Sequence, residues 1–529
     1  MALEKLLVAG KWRESTDPSR IFYARNPADK TSLPESYPVS TMDDIDEMIR
    51  AGSEAAFALD SINPEKIAQF LETCAENIED CRKDLVRRAN LETALPEEPR
   101  LNTVELPRTT GQLRLAAAAA RDRSWCRATI DTGTNIRTKY GCLGGPVVIF
   151  GPNNFPFAFN AISGGDFAAA IAAGNPVIAK ANPGHPGTTK ILAEAVFSAL
   201  KSSDLPAAAV QLFYHTEPEY GLKMVSHPLT GAAAFTGSKI AGLQLKDAAD
   251  RAGKPIYLEM SSINPVFILP GAIDERPEEI ASELFGACTL GAGQFCTNPG
   301  LIIVKTSENC ERFILRLSQL FSQNAPGILL SEKSPKSIPA AISKLTAAGA
   351  EIIVGGEEVS EAGYAYANTL LRVSGESFLQ NPDVLQTEVF GTDSLIITAG
   401  SREQVSEIAS RLGGNLTGSI YSHTQGNDDE LYSQIASIIR TKVGRLLNDK
   451  MPTGVAVVPS MNHGGPYPAT GHPGFTAVGI PASLLRFASL QCYDNVRPHR
   501  LPVELQDKNP TGQMWRFVDG TWTKKDIVV

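Results

Sequence analysis

The chain has 529 residues, 43% hydrophobic and 20% charged. That is ample material for several packed cores and the wrong balance for a disordered or coiled-coil protein. A net charge of −9 offers no attraction to nucleic acid or an anionic membrane surface. The eight cysteines contain no C-x-x-C pair, which argues against a disulfide scaffold or a zinc ribbon, calls for no metal, and suits a reducing cytoplasm.

The first twelve residues hold too short an apolar run for a signal peptide, and no later stretch supplies the ~20 unbroken apolar residues of a membrane helix. The opening forty residues read as short strands and turns, punctuated by Gly10 and Asn26-Pro27. Ser40 or Thr41 then caps a helix over MDDIDEMIRAGSEAAFAL, whose acidic first turn suits the helix dipole. Further helices are expected over 64–77, 81–93 and 102–122. From Tyr140 the apolar runs VVIF, PVIAK, VQLFYH, AAAFTG and IYLEM alternate with helical stretches, the pattern of a parallel sheet covered on both faces. The alternation resumes after Cys296 with LIIVKTSE, EIIVGG, ANTLLRV, SLIITAG and GSIYSH. The fold class is therefore α/β, with two doubly wound domains in series, the first ending near Ser262. The residues after about His499, with Trp515, Phe517 and Trp522, form an extension and a candidate hairpin.

In such sheets ligands lie outside the carboxyl ends of the strands, where helix N-termini present free N–H groups. Two junctions qualify: VIAK, ending at Lys180, and AAAF, leading into Gly237-Ser238. Neither carries G-x-G-x-x-G or a Walker motif. Read alone, the first is a solvated lysine and the second a tight helix start. Cys296, in GAGQFCTNPG, lies on glycine-rich backbone whose N–H groups can draw a thiol from ~8.5 toward neutrality; the alternative is a buried structural thiol, the reading that suits Cys288. Glu259 ends an apolar strand, where desolvation raises a carboxyl toward general-base duty; the alternative is a lysine partner or a cap on a neighbouring helix. Asn154, in GPNNFPF, is either an oxyanion donor or a turn residue.

Taken in order, GPNNFPF, VIAKANPGHP, FTGSKIAG, LEMSSINP, GQFC and EVFG resemble the motifs of the aldehyde dehydrogenase family, over nearly the whole chain to about Asn495. The resemblance implies a discontinuous dinucleotide-binding domain over 1–123 and 141–261 and a catalytic domain over 262–450. It also implies an oligomerisation β-arm from 124–140 and 488–498, with 499–529 as an extension. It makes Cys296 the nucleophile, Asn154 the oxyanion donor and Glu259 the base for the hydrolytic water. Lys180 would reach the adenosine ribose, Gly237 and Ser238 would lie under the pyrophosphate, Glu388 would hold the nicotinamide ribose, and Phe390 would flank the ring. Many NAD-preferring relatives carry a glutamate three positions after the lysine; here Pro183 stands there with His185 nearby, which implies NADP preferred and NAD as the lesser cofactor. Ser261-Ser262 replaces the usual glycine pair.

The stretches MPTGVAVVPSMNHGGPYPATG, RFASLQCYDNVRPHRLP and NPTGQMWRFVDGTW resemble the branch of the family that oxidises 2,5-dioxopentanoate to 2-oxoglutarate. A keto-acid end calls for a cation in the access tunnel, and Arg108, with Phe155, is assigned to substrate contact. Arg114, six positions on and so roughly 240° around the helix, is assigned to packing or an ion pair. The expected partners are a small-molecule semialdehyde and further copies of the chain, as a homodimer or homotetramer. Competing readings are a succinate semialdehyde-like substrate, a CoA-acylating variant, a catalytically silent relative, or a cysteine hydrolase needing a histidine base. His463, in NHGGPYP, is the histidine placed near the substrate mouth.

Overall fold

The computed structural model describes residues 3–360 and 363–528; the outermost residues of the 1–123 and 499–529 segments lie outside these. The helix at 42–60 begins as its sequence dictates: the Thr41 hydroxyl accepts from Asp44 N at 3.3 Å, while the Asp44 carboxylate accepts from Thr41 N at 3.1 Å. Such a reciprocal cap contributes about 1 kcal/mol. The helices Pro64–Asp80 and Arg82–Thr93 follow. The expected 102–122 helix is divided: a π-helical turn, broken by extended backbone at Glu98, runs up to Glu105, and the α-helix proper is Leu106–Asp122, with Pro107 in the first turn where a missing N–H costs nothing.

Two seven-stranded sheets carry the molecule. The first runs in the order 256–259, 232–236, 147–150, 177–180, 210–213, 6–8, 11–13; its first five strands are parallel and the N-terminal hairpin closes the edge. The second runs 351–354, 369–374, 393–399, 301–305, 265–268, 415–421, 443–448, parallel except for its first strand. Val266 and Ile268 pack into one core and Phe267 and Leu269 into another, on opposite faces of the second sheet. Side chains alternate across a strand, so an unbroken apolar run requires helices on both faces. The chain is a doubly wound α/β protein.

A third, five-stranded sheet joins 489–494, 136–141, 129–131, 516–518 and 521–523. The C-terminal aromatics do form a hairpin, and its first strand pairs parallel with Thr129–Asp131. All eight cysteines are free thiols. Among the described residues no helix is long and apolar enough to cross a membrane.

Candidate active site

Cys296 lies in the loop between the helix Pro277–Thr289 and the strand Leu301–Lys305. The approach is left-handed at Gly291, Ala292 and Gly293, with φ of +59°, +55° and +70°. A Cβ on Gly293 would stand 2.1 Å from Gly391 O, so only glycine fits there. Gln294 fastens the loop. Its amide nitrogen donates to Ser334 Oγ at 3.1 Å and Phe390 O at 3.3 Å, and its Oε1 accepts from Leu330 N at 2.8 Å. From below, the buried Asn264 donates its amide to Cys296 O at 2.9 Å and Asn298 O at 3.0 Å. An Asn264 truncation would orphan the buried Asn298 carbonyl at about 1–3 kcal/mol and release the Cys296 carbonyl.

The half-buried Cys296 Sγ stands 3.5 Å from Nε2 of His463, and the same nitrogen stands 3.0 Å from Glu259 Oε1. Glu259 ends the strand Ile256–Glu259, and His463 is held by its own N–H donating to Thr476 Oγ1 at 2.8 Å. Cysteine, histidine and carboxylate are the membership of a hydrolytic triad, but not its wiring. A triad base uses one ring nitrogen for the nucleophile and the other for its orienting carboxylate; here both neighbours share Nε2.

Two titration expectations are corrected. Burial pushes the Glu259 carboxyl up, but the charge and hydrogen bond of His463, the Cys296 thiol and Arg108 outweigh it and hold Glu259 below the usual carboxylate range. The Cys296 thiol is raised well above its ordinary value by burial and then by Glu259, with Arg108 opposing. The loop's N–H groups do not offset a carboxylate so close. At neutral pH the resting pair is a thiol beside a carboxylate anion.

Asn154 donates its side-chain amide to Gln294 O at 2.9 Å, which ties the GPNNFPF turn to the cysteine loop and leaves one amide hydrogen uncommitted among the described residues. Sequence reading missed two anchors of that turn. Buried Glu105 accepts from Phe157 N at 2.8 Å and Ala158 N at 2.9 Å and pairs with Arg100, which itself donates to Asn154 O at 2.9 Å. Only the oddity of an acid amid an apolar helix face hinted at the first.

Phe155, Phe159 and Phe295 form an edge-to-face cluster, with ring centroids 5.3 Å and 5.1 Å apart along the chain of contacts, and Phe159 lies 5.7 Å from the His463 ring. Arg108 lies over Phe155 and Phe159 at 5.4 and 5.1 Å. Its Nε and Nη2 are closed to solvent without a hydrogen-bond partner among the described residues, and its charge acts on Cys296 and Glu259 alike. Arg114, by contrast, grips Glu79 at 2.7 and 2.8 Å.

Among the residues expected at the dinucleotide, Lys180 ends the strand Val177–Lys180 with no hydrogen-bond partner among the described residues. Burial, then the charge of Lys333, brings its ammonium down to about 8. Ser238 caps the helix Lys239–Arg251, its hydroxyl accepting from Ala241 N at 3.4 Å. Gly237 spends its own N–H on Glu259 O at 3.1 Å. Pro183 is half-buried in the loop after Lys180. His185 corrects an expectation: it is buried, with Nε2 on Pro152 O at 3.0 Å and Nδ1 on Thr189 Oγ1 at 3.4 Å. Both ring nitrogens are occupied, so it is not available beside a ribose phosphate. Glu388 and Phe390 line a narrow cleft with Ser262 and Phe295. Burial pushes Glu388 up to about 7 against the Ser261 hydroxyl, which donates to it.

The model of the aldehyde dehydrogenase family matches residues 12–460. The chain belongs to the aldehyde dehydrogenase family. It is thus an oxidoreductase of the aldehyde dehydrogenase class. Among relatives, it is 37% identical over 455 residues to alpha-ketoglutaric semialdehyde dehydrogenase 2 of Azospirillum brasilense, covering 84% of this chain and 85% of that one. It is 34% identical over 496 residues to alpha-ketoglutaric semialdehyde dehydrogenase of Acinetobacter baylyi, covering 92% of each. Among solved structures, an aldehyde dehydrogenase C mutant from Pseudomonas syringae superposes with a TM-score of 0.79 at 20% identity, over 94% of this chain and 98% of that one. The aldehyde dehydrogenase fold is therefore common to chains of very different sequence.

Proposed function

We propose that this aldehyde dehydrogenase oxidises a keto-acid semialdehyde, 2,5-dioxopentanoate, to 2-oxoglutarate at Cys296, using a nicotinamide dinucleotide with NADP preferred over NAD. The observation that carries the substrate class is Arg108. A guanidinium with two unpartnered, solvent-closed nitrogens beside the reacting thiol is costly unless an anion completes it. A substrate carboxylate is such an anion, and Phe155 and Phe159 flank its stem. The names of the two relatives support the same substrate.

The cofactor has a donor set that fits it: the ammonium of Lys180, the N-terminus of the Ser238-capped helix and the Glu388 carboxylate. When bound, the nicotinamide supplies the acceptor for a hydride. With Pro183 in place of an acid, nothing in that loop repels a 2′-phosphate.

The chain's own residues do the rest. The thiol proton passes to the His463–Glu259 pair as sulfur attacks the aldehyde carbon. The carbonyl electron pair moves to oxygen, where the free Asn154 N–H and the Cys296 N–H steady it. That oxyanion re-forms its carbonyl as the hydride departs, leaving a thioester on Cys296. Once the thiol proton has passed on to solvent, Glu259, an anion again, takes a proton from water; hydroxide adds to the thioester carbon, the C–S bond breaks, the sulfur is reprotonated from Glu259, and the acid leaves. On the same reading, the sheet built from 124–140 and 488–498 is assigned to subunit contact as a homodimer or homotetramer.

A panel of semialdehydes and unsubstituted aliphatic aldehydes with both cofactors, followed by the absorbance of reduced nicotinamide, tests this. Wild type should favour 2,5-dioxopentanoate with NADP, and Cys296→Ala should be inactive on every aldehyde. A wild type that prefers unsubstituted aldehydes, or a Cys296→Ala variant that still turns over, overturns it.

A further inference from the structure

We propose that Cys296, His463 and Glu259 also form a reversible binding site for zinc-class divalent ions, and that filling it silences the enzyme. The silencing clause rests on Cys296 being the nucleophile; the binding clause does not. Among the described residues this is the one grouping of three metal-ligating side chains, with Sγ, Nε2 and a carboxylate oxygen all within 4.8 Å of one another.

Two of the three edges of this triangle are close to metal-site spacing, and the third lies within 4.8 Å. Zinc holds sulfur at ~2.3 Å and histidine nitrogen at ~2.0–2.1 Å, so a tetrahedral angle sets those two atoms about 3.5–3.6 Å apart. Sγ and Nε2 stand 3.5 Å apart. Nitrogen and carboxylate oxygen need about 3.4 Å on the same arithmetic, against the 3.0 Å of their present hydrogen bond. A side-chain adjustment of a few tenths of an ångström closes that gap. A second observation points the same way: Glu259 Oε2 is closed to solvent and has no hydrogen-bond partner among the described residues, on a residue 4% exposed. It is a ready donor for a cation. Because Cys296 is only half-buried, a water can fill a fourth position.

Thiolate and imidazole together select zinc, cobalt and cadmium over magnesium and calcium. On binding, the thiol gives its proton to solvent and the imidazole ligates through Nε2 with its proton on Nδ1. Thiolate and carboxylate then carry two negative charges against the two of the ion. Arg108 and Arg445 both act electrostatically on Cys296 and keep the affinity moderate, which makes the ion removable. With all three side chains ligating, none is free to attack, to shuttle a proton or to activate water.

Cobalt(II) is the probe, because thiolate ligation gives a charge-transfer band that carboxylate and imidazole alone do not. The full-length wild type, without cofactor or aldehyde, should show that band saturating at one ion per chain and disappearing on addition of zinc. The band should vanish in Cys296→Ser, and binding should weaken in both His463→Gln and Glu259→Gln, with far-ultraviolet circular dichroism confirming folding. Absence of the band in wild type, or its survival in Cys296→Ser, overturns the site. Zinc at concentrations that displace cobalt should abolish aldehyde oxidation, and a chelator should restore it. Undiminished turnover at those concentrations overturns the silencing clause, whereas a metal-free wild type with no aldehyde oxidation at all counts against the functional reading instead.

Discussion

The imidazole of His463 meets the carboxylate of Glu259 at 3.0 Å with the two side chains 2% and 4% exposed. A pair so enclosed fixes the charge beside Cys296, and that charge works against the thiolate in the resting enzyme.

Glu259→Gln is expected to separate two effects. Removing the anion makes the Cys296 thiol easier to ionise, so its alkylation by iodoacetamide at fixed pH should speed up, on the order of tenfold if the thiol becomes one pH unit more acidic. Steady-state aldehyde oxidation should nevertheless collapse, leaving a burst of reduced nicotinamide with no turnover, because the thioester has lost its base. Slower alkylation in the variant would mean that Glu259 chiefly removes the thiol proton.

Arg108→Ala should cost the keto-acid semialdehyde about 2–3 kcal/mol, or roughly 30- to 150-fold in kcat/KM, the usual worth of a charge-assisted bond. An unsubstituted aliphatic aldehyde should lose far less. Arg108→Lys should recover only part of the loss, since an ammonium cannot grip a carboxylate through two parallel N–H groups. Equal losses for both substrates would move Arg108 from recognition to packing.

Lys180 gives a pH signature. Burial and the charge of Lys333 lower it to about 8, so it is charged below that value and neutral above. Attraction for a 2′-phosphate is therefore full near pH 7 and lost as pH rises through 8 to 9. Fluorescence titrations should show the Kd for NADP rising over that span while that for NAD changes less. Pro183→Glu should weaken NADP selectively.

The Ser261 hydroxyl donates to Glu388, the carboxylate we propose for the ribose hydroxyls. Ser261→Gly should free Glu388 from a bond worth about 0.5–1.5 kcal/mol and tighten dinucleotide binding several-fold by calorimetry. It should also let Glu388 titrate above its present value of about 7, since that hydrogen bond lowers it.

Much of this was legible in the sequence where the cause is local. The Thr41 cap, the apolar strands and the glycines before Cys296 each announce themselves within a few positions. The anchors were not: Glu105 reaches Phe157 N across 52 residues, and Asn264 reaches Thr417 across 153. Both protonation errors have the same origin. Desolvation of Glu259 follows from its strand, but His463, 204 residues away, supplies the opposing charge. His185 misled for a similar reason, because only the packed loop shows that its ring nitrogens are already taken.

The two outer strands of the C-terminal sheet are unequal: one spans the six residues 489–494, the other the three residues 521–523. A short margin presents few backbone groups to a newcomer, whereas the longer one can zip to its like. The tail hairpin thus acts as a selvedge, leaving the sheet a single long margin at 489–494.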